Sequence, residues 1–208
     1  MENICKKGKN MKVMVVSPHP DDETLGAGGT LLRLKKEGHQ IYWLNITDAK
    51  EKDGWSASFI KQRKEQIQRV CDFFEFDDAF NLKFPPAKLE MLEKSILIQK
   101  IGSCFQTVEP EWIILPDPND AHSDHKITYE SCISCSKIFR YPYIHRITTM
   151  EILSETDFGR IDNPFVPNYF VNISDYMKSK IQALEIYDTE LGAVSYTHLR
   201  AHETTLHL

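Results

Sequence analysis

Four apolar residues in a row, Val13 to Val16, stand just before the break Ser17-Pro18. A run this short, without polar alternation, fits a strand buried on both faces. From Thr24 to Glu37 the apolar positions recur at helical spacing, and the pattern stops at Gly38, a residue suited to helix ends. Gln40–Thr47, QIYWLNIT, predicts a second strand because it is rich in β-branched and aromatic residues. The polar stretch DAKEKDGWSAS separates it from a helix expected near Phe59–Phe74. An extended piece follows at Ala79–Phe84 and ends at Pro85-Pro86. Leu89–Val108 is expected to be helical, with apolar residues at Leu89, Leu92, Ile96 and Leu97. Glu111–Pro116 reads as a third buried strand, followed by a helix near Ile127–Phe139 and a strand near Ile147–Leu153. A Pro-containing loop, Asn163–Asn168, leads through YFVNIS to a closing helix, Asp175–Leu191. Repeated β-α-β order implies an α/β fold with a mainly parallel sheet and helices on both faces. The pattern shows no internal repeat and no internal domain boundary.

Composition narrows the partners. At 208 residues, with 41% hydrophobic and 26% charged content, the chain suits one domain with a sizeable core. A net charge of -5 and a pI near 5.9 give no electrostatic footprint for nucleic acid or an anionic membrane surface. No apolar run approaches the roughly 20 residues of a membrane span. The start, MENICKKGKN, lacks the apolar core of a secretory signal. Five cysteines without framework spacing point to a reducing compartment. The expectation is a cytoplasmic, soluble, single-domain protein, with an oligomer allowed.

Two loops carry the candidate chemistry. SPHPDDE follows the first strand and DPNDAHSDH the third, and together they hold three of the eight histidines. Open parallel sheets bind ligands at the carboxyl ends of their strands, so both loops are expected at one end of the sheet. Adjacent acids at 21, 22 and 23 repel one another unless something positive sits among them. Acids at a helix start are often caps. Capping does not account for histidines in two separate strand-end loops. His19, Asp22 and His125 are the ligand types that a borderline dication such as zinc takes, and three protein ligands leave a position open for water.

PHPDDE followed about a hundred residues later by HSDH resembles the PIG-L/LmbE family of metal-dependent N-deacetylases. The resemblance runs from about Lys12 to about Leu191 and includes EILSETDF and ISDYMKSKIQALEIYDTEL. It implies a Rossmann-like fold, a mononuclear site holding zinc or, in some relatives, iron, and removal of the N-acetyl group from an N-acetylglucosamine-type sugar or its conjugate. It implies His19, Asp22 and His125 as metal ligands and Asp21 as general base. It makes His122 the group that stabilises the tetrahedral intermediate and Asp124 its orienting partner; on chemical grounds His122 is expected as a cation facing the oxyanion. Arg63 matches a substrate-contacting arginine, although an arginine in the charged run KQRKEQ is ordinarily solvated. A metal brings water's pKa toward about 7, and a neighbouring carboxylate can then take the proton.

The chain also departs from the family pattern. Ala49 stands where relatives commonly have a glycine, and the second loop has no tyrosine near the oxyanion. The GAGG of Gly26, Gly28 and Gly29 lacks the spacing of a dinucleotide loop, so close helix packing is its expected use. Cys132-x-x-Cys135, with no second pair, is expected to be core-facing thiols. After residues 1–192, the expected deacetylase domain, residues 193–208 read as a non-native, adapter-like tail on a C-terminally truncated chain. Its His198, His202 and His207 are not assigned to a metal. Another reading keeps a metal- or sugar-binding module without catalysis, or a decayed deacetylase, but binding alone needs neither Asp21 nor His122.

Overall fold

Neighbouring strands of the five-stranded sheet run parallel throughout, in the order β3-β2-β1-β4-β5. The strands are β1 (Lys12–Ser17), β2 (Gln40–Thr47), β3 (Asp78–Phe84), β4 (Trp112–Pro116) and β5 (Arg146–Met150). Helices α1 (Asp22–Lys36), α2 (Ala57–Phe74), α3 (Lys94–Val108), α4 (Ser123–Ser134), α5 (Leu153–Thr156) and α6 (Met177–Leu184) fall between or after them. This computed structural model describes residues 10–156, 158–159 and 161–190. The adapter-like tail at 193–208 and the domain limit at 192 lie outside the described residues. Among those described, no helix is long and apolar enough to cross a membrane.

The apolar run of β1 is buried on both sides because it is the central strand. Val13 and Val15 join Trp43, Leu31, Val70 and Phe74 on one face; Met14 and Val16 join Leu44, Ile101, Phe105 and Leu115 on the other. Two layers of helix thus cover one sheet, as continuous apolar strands require. The glycines of α1 let it sit close. A Cβ on Gly29 would stand 2.5 Å from Ile173 Cδ1, and one on Gly26 2.7 Å from Met150 Cγ. Close packing is therefore their use. Cys132 and Cys135 are buried with free thiols, in the core as expected. A cavity of about 540 Å³ lies between α1, the β4–β5 face and segment 164–173, and none of the expected site residues lines it.

Three helices differ from their expected spans, each for a local reason. The helix expected over Leu89–Val108 is broken into a single 3-10 turn, Leu89–Met91, and α3, with Leu92 extended between them. The Leu89 N–H is bound by Asp124 Oδ1 at 3.1 Å, which ties this turn to α4. α4 begins at Ser123, four residues earlier than expected, because the His122 side chain accepts the Asp124 N–H and caps it. It ends at Ser134 instead of Phe139. The closing helix is shorter as well: a 3-10 turn, Ser174–Tyr176, precedes α6, and the chain turns after Leu184 so that Tyr187 reaches α1. β5 ends at Met150, and Leu153 opens the one-turn α5.

The order of strands fixes where a ligand can sit. From β1 the chain builds outward to β2 and β3, then crosses back to place β4 on the opposite side of β1. The connections after β1 and β4 therefore leave in opposite directions and open a crevice at their carboxyl ends. SPHPDDE and DPNDAHSDH are those connections.

Candidate active site

His19, Asp22 and His125 converge in that crevice. Asp22 lies in the first turn of α1, where its Oδ2 accepts the His19 backbone N–H at 2.9 Å. The same oxygen stands 3.4 Å from His19 Nδ1 and 3.4 Å from His125 Nε2. The far nitrogen of each ring is held by a buried carboxylate. His125 Nδ1 pairs with Asp120 Oδ2 at 2.8 Å and His19 Nε2 with Asp124 Oδ2 at 3.1 Å. Asp120 is in turn held by the Thr156 hydroxyl, which donates to its Oδ1 at 2.8 Å. Both rings thus turn one nitrogen toward Asp22 and anchor the other, as a carboxylate–histidine–metal arrangement does.

These residues fit a dication. His125 Nε2 is fully buried and has no hydrogen-bond partner. Ligand atoms bound tetrahedrally at about 2.0–2.2 Å lie about 3.3–3.6 Å apart, the spacing seen around Asp22 Oδ2. Nitrogen and carboxylate donors of this kind suit zinc or iron(II). His19, His122 and Asp124 form a second group with ligand atoms within 4.8 Å of one another, sharing His19 with the first. Asp124 there already accepts the Ala87 N–H at 2.7 Å, the Leu89 N–H and the His19 ring, so it serves as a support.

The electrostatics tell the same story in protons. Burial disfavours a charged His125, yet the Asp22 charge and the Asp120 hydrogen bond outweigh it and raise its pKa to about 10. Burial likewise opposes charge on His19, and bonds to Asp124 and Asp22 raise it to about 9. Burial would raise Asp22, but His125 and His19 hold it well below the usual carboxylate range. Both rings therefore favour the imidazolium form, which places positive charge against Asp22. A metal binds such sites by displacing protons.

Asp21 is the N-cap of α1 but its side chain makes no capping hydrogen bond, so helix capping does not explain it. Its backbone is strained, with φ 144° and ψ -28°, a conformation costing on the order of 1–3 kcal/mol. Burial, then the charges of Asp22 and Glu23, push its carboxyl well above the ordinary value.

Two expected partnerships change. The Asp124 carboxylate is expected to orient His122, but its oxygens are taken by His19, Ala87 and Leu89, and only the Asp124 backbone N–H reaches His122, at 3.1 Å. His122 is expected to be cationic, but its Nδ1 is an acceptor in that bond, and burial, then the His19 charge, lower its pKa. A neutral ring with Nδ1 accepting leaves Nε2–H as its donor. The ring lies 4.5 Å from that of His19 and 5.6 Å from that of His125, so it belongs to the site.

Arg63 is not a solvated helix residue. It is 6% exposed, donates from Nη1 to the Pro20 carbonyl at 2.9 Å, and pairs with Glu190. Its guanidinium also lies over Phe59 and Tyr187. The helix face of KQRKEQ is set by packing that a local reading cannot see. The sequence pattern gives Glu23 only as one of three adjacent acids and assigns no role to Asp120 or Tyr187. For Asp120 a signal existed, an acid five residues before His125 in the same loop; Tyr187 gave none.

A doubly wound parallel sheet with a His₂Asp cluster at its switch point defines a Rossmann-like α/β protein whose crevice groups side chains of metal-ligating type. The family model described as PIG-L: GlcNAc-PI de-N-acetylase matches residues 14–136, more than half of the chain, and the chain belongs to that family. It is 25% identical over 190 residues to the diacetylchitobiose deacetylase of Thermococcus kodakarensis, covering 86% of this chain and 70% of that protein. It is also 25% identical over 193 residues to a probable N-acetyl-alpha-D-glucosaminyl L-malate deacetylase 2 of Bacillus cereus, covering 88% and 84%. Among solved structures, a conserved protein of Thermus thermophilus superimposes with a TM-score of 0.75 at 22% identity, covering 94% of this chain and 86% of that one.

Proposed function

We propose that this chain is a metal-dependent amide hydrolase that removes the N-acetyl group of an N-acetylglucosamine-type amino sugar or its conjugate. Family membership and the deacetylase relatives support the reaction class. The observation that carries the reading is the buried, unpartnered His125 Nε2 facing Asp22 across from His19, in the switch-point crevice. His19, Asp22 and His125 hold the ion, zinc or iron(II). When bound, such an ion supplies a Lewis acid that acidifies water and polarises the amide carbonyl.

The chain's own groups do the rest. Asp21, next to a ligand but with a side chain free of capping duty, takes the proton of the attacking water and returns it to the leaving amine. His122 presents its Nε2–H to the developing oxyanion, a neutral donor already aimed by the α4 backbone. Asp120 and Asp124 keep the two ligand rings turned correctly. Arg63 shapes the floor beneath Asp21 by holding Pro20, and any substrate contact it makes comes from the same buried position.

The test is acetate release from a panel of N-acetylglucosamine derivatives, with and without a chelator, alongside metal content. Chelator-sensitive release supports the reading. Metal retention and sugar binding without release on any member would instead make the chain a binding module or a decayed deacetylase.

A further inference from the structure

The Pro20–Asp21 peptide group is gripped from both ends by side chains. Its carbonyl accepts Arg63 Nη1–H at 2.9 Å, and its N–H donates to Glu23 Oε2 at 3.1 Å. Because the peptide is planar, fixing both ends fixes the plane from which the Asp21 side chain departs. Behind Glu23, its other oxygen accepts the Tyr187 hydroxyl at 2.8 Å and the Thr24 hydroxyl at 2.6 Å. Behind Arg63 stands Glu190. Glu23 is 0% exposed and Tyr187 1%.

We infer that Glu23, backed by Tyr187, is a positioning residue for Asp21, holding one end of this peptide while Arg63 holds the other. The inference rests on the reading of Asp21 as general base. A glutamate that reaches back to the N-cap N–H is a familiar helix-start contact. That contact needs neither full burial nor a hydroxyl from 164 residues downstream. Burying a carboxylate is unfavourable unless its bonds do something that solvent cannot. Here they hold a non-glycine residue at φ 144°, a conformation that persists only where the surroundings over-determine it. The outcome is a fixed direction for the carboxylate beside the metal ligands, and a misplacement of about 1 Å at such a group costs about 10²-fold in rate.

Glu23→Leu removes the acceptor, whereas Glu23→Gln retains one, since the Thr24 and Tyr187 hydroxyls can turn to accept from the amide nitrogen. Two readouts are paired: hydrogen exchange at the Asp21 amide, which needs no substrate, and kcat and KM on a turned-over N-acetyl sugar. Glu23→Leu is expected to speed Asp21 exchange and lower kcat by about 10²-fold, with KM and metal content unchanged. Glu23→Gln is expected to stay near wild type in both. If Glu23→Leu does not fold, Tyr187→Phe keeps the ring, and is expected to lower kcat by about tenfold, the rate equivalent of one hydrogen bond, with faster exchange. Faster exchange with unchanged kcat overturns the positioning role while leaving the deacetylase reading intact. Unchanged exchange in both Glu23→Leu and Tyr187→Phe overturns the clamp itself. A Gln variant as slow as the Leu variant overturns it too, because charge rather than hydrogen bonding would be at work. A wild type inactive on the whole panel removes the deacetylase reading, and the catalytic half of this inference falls with it.

Discussion

His125 Nε2 stands 3.4 Å from Asp22 Oδ2, fully buried and without a hydrogen bond, while the opposite nitrogen of the same ring is held at 2.8 Å by Asp120. A buried imidazole nitrogen left unpartnered beside a carboxylate fits a ligand to a metal ion. One divalent ion per chain is expected, with His19, Asp22 and His125 as its protein ligands. Elemental analysis of purified protein checks this. Equal metal in wild type and His125→Ala would count against the site.

The support for His125 predicts a graded effect. Asp120→Asn keeps the size of the side chain but weakens its hold on Nδ1–H, and is expected to reduce metal affinity by about 10–100-fold. A competition titration against a chelator of known affinity measures it. Unchanged affinity would mean that the Asp120–His125 pair only packs the loop.

Metal binding and chemistry should separate. Asp21→Asn is expected to retain the metal, because Asp21 is not a ligand, and to lose acetate release by a factor of about 10² or more. His122→Ala is expected to behave alike, through the lost donor to the oxyanion. Full activity in either variant on a substrate that wild type turns over removes that residue from the mechanism.

The protonated histidines predict a pH effect on the metal-free protein. His19 is raised to about 9 and His125 to about 10, so their stabilisation is complete below the unfolded value of about 6.5. It is lost as pH rises through the folded values. Glu23, raised to about 7 by burial, adds a fall of the same sign at lower pH. The Tm of chelated protein is therefore expected to drop as pH climbs from about 6.5 toward 10, and loaded protein to escape the histidine part because its ligands have already shed their protons. Parallel melts with and without metal decide it, and identical slopes would contradict the assignment.

The α1 glycines allow a stability test remote from catalysis. Gly29→Ala gains about 0.8–1.0 kcal/mol of helix propensity. It also drives a methyl to 2.5 Å from Ile173 Cδ1 and 2.8 Å from its Cβ, and overpacking of that kind typically costs about 1–3 kcal/mol. Net destabilisation is expected, visible as a lower denaturant midpoint. An alanine variant more stable than wild type would show that Ile173 gives way freely.

Local pattern determined the elements and the chemistry they carry. Val13–Val16 reads as a strand buried on both faces, since nothing in it tolerates water, and the β-α-β alternation implies a mainly parallel sheet; the strand order then places it at the centre. That His19, Asp22 and His125 come together was legible because both of their loops leave the carboxyl ends of strands, where the rule for open sheets applies without coordinates. What the sequence could not hold was anything set by long-range contact. Arg63 reads as a surface residue until α2 packs against Tyr187 and turns it inward. The family resemblance makes Asp124 the companion of His122, but the carboxylate points across the crevice to His19, 105 residues away. Glu23 reads as one acid among three, and only the turn after α6 brings the Tyr187 hydroxyl to it. Residue types and their order fix which groups reach the end of a strand. Which of those groups touch is decided by how helices far apart in the chain pack on the sheet, because hydrogen bonds act over about 3 Å and sequence distance says nothing at that scale.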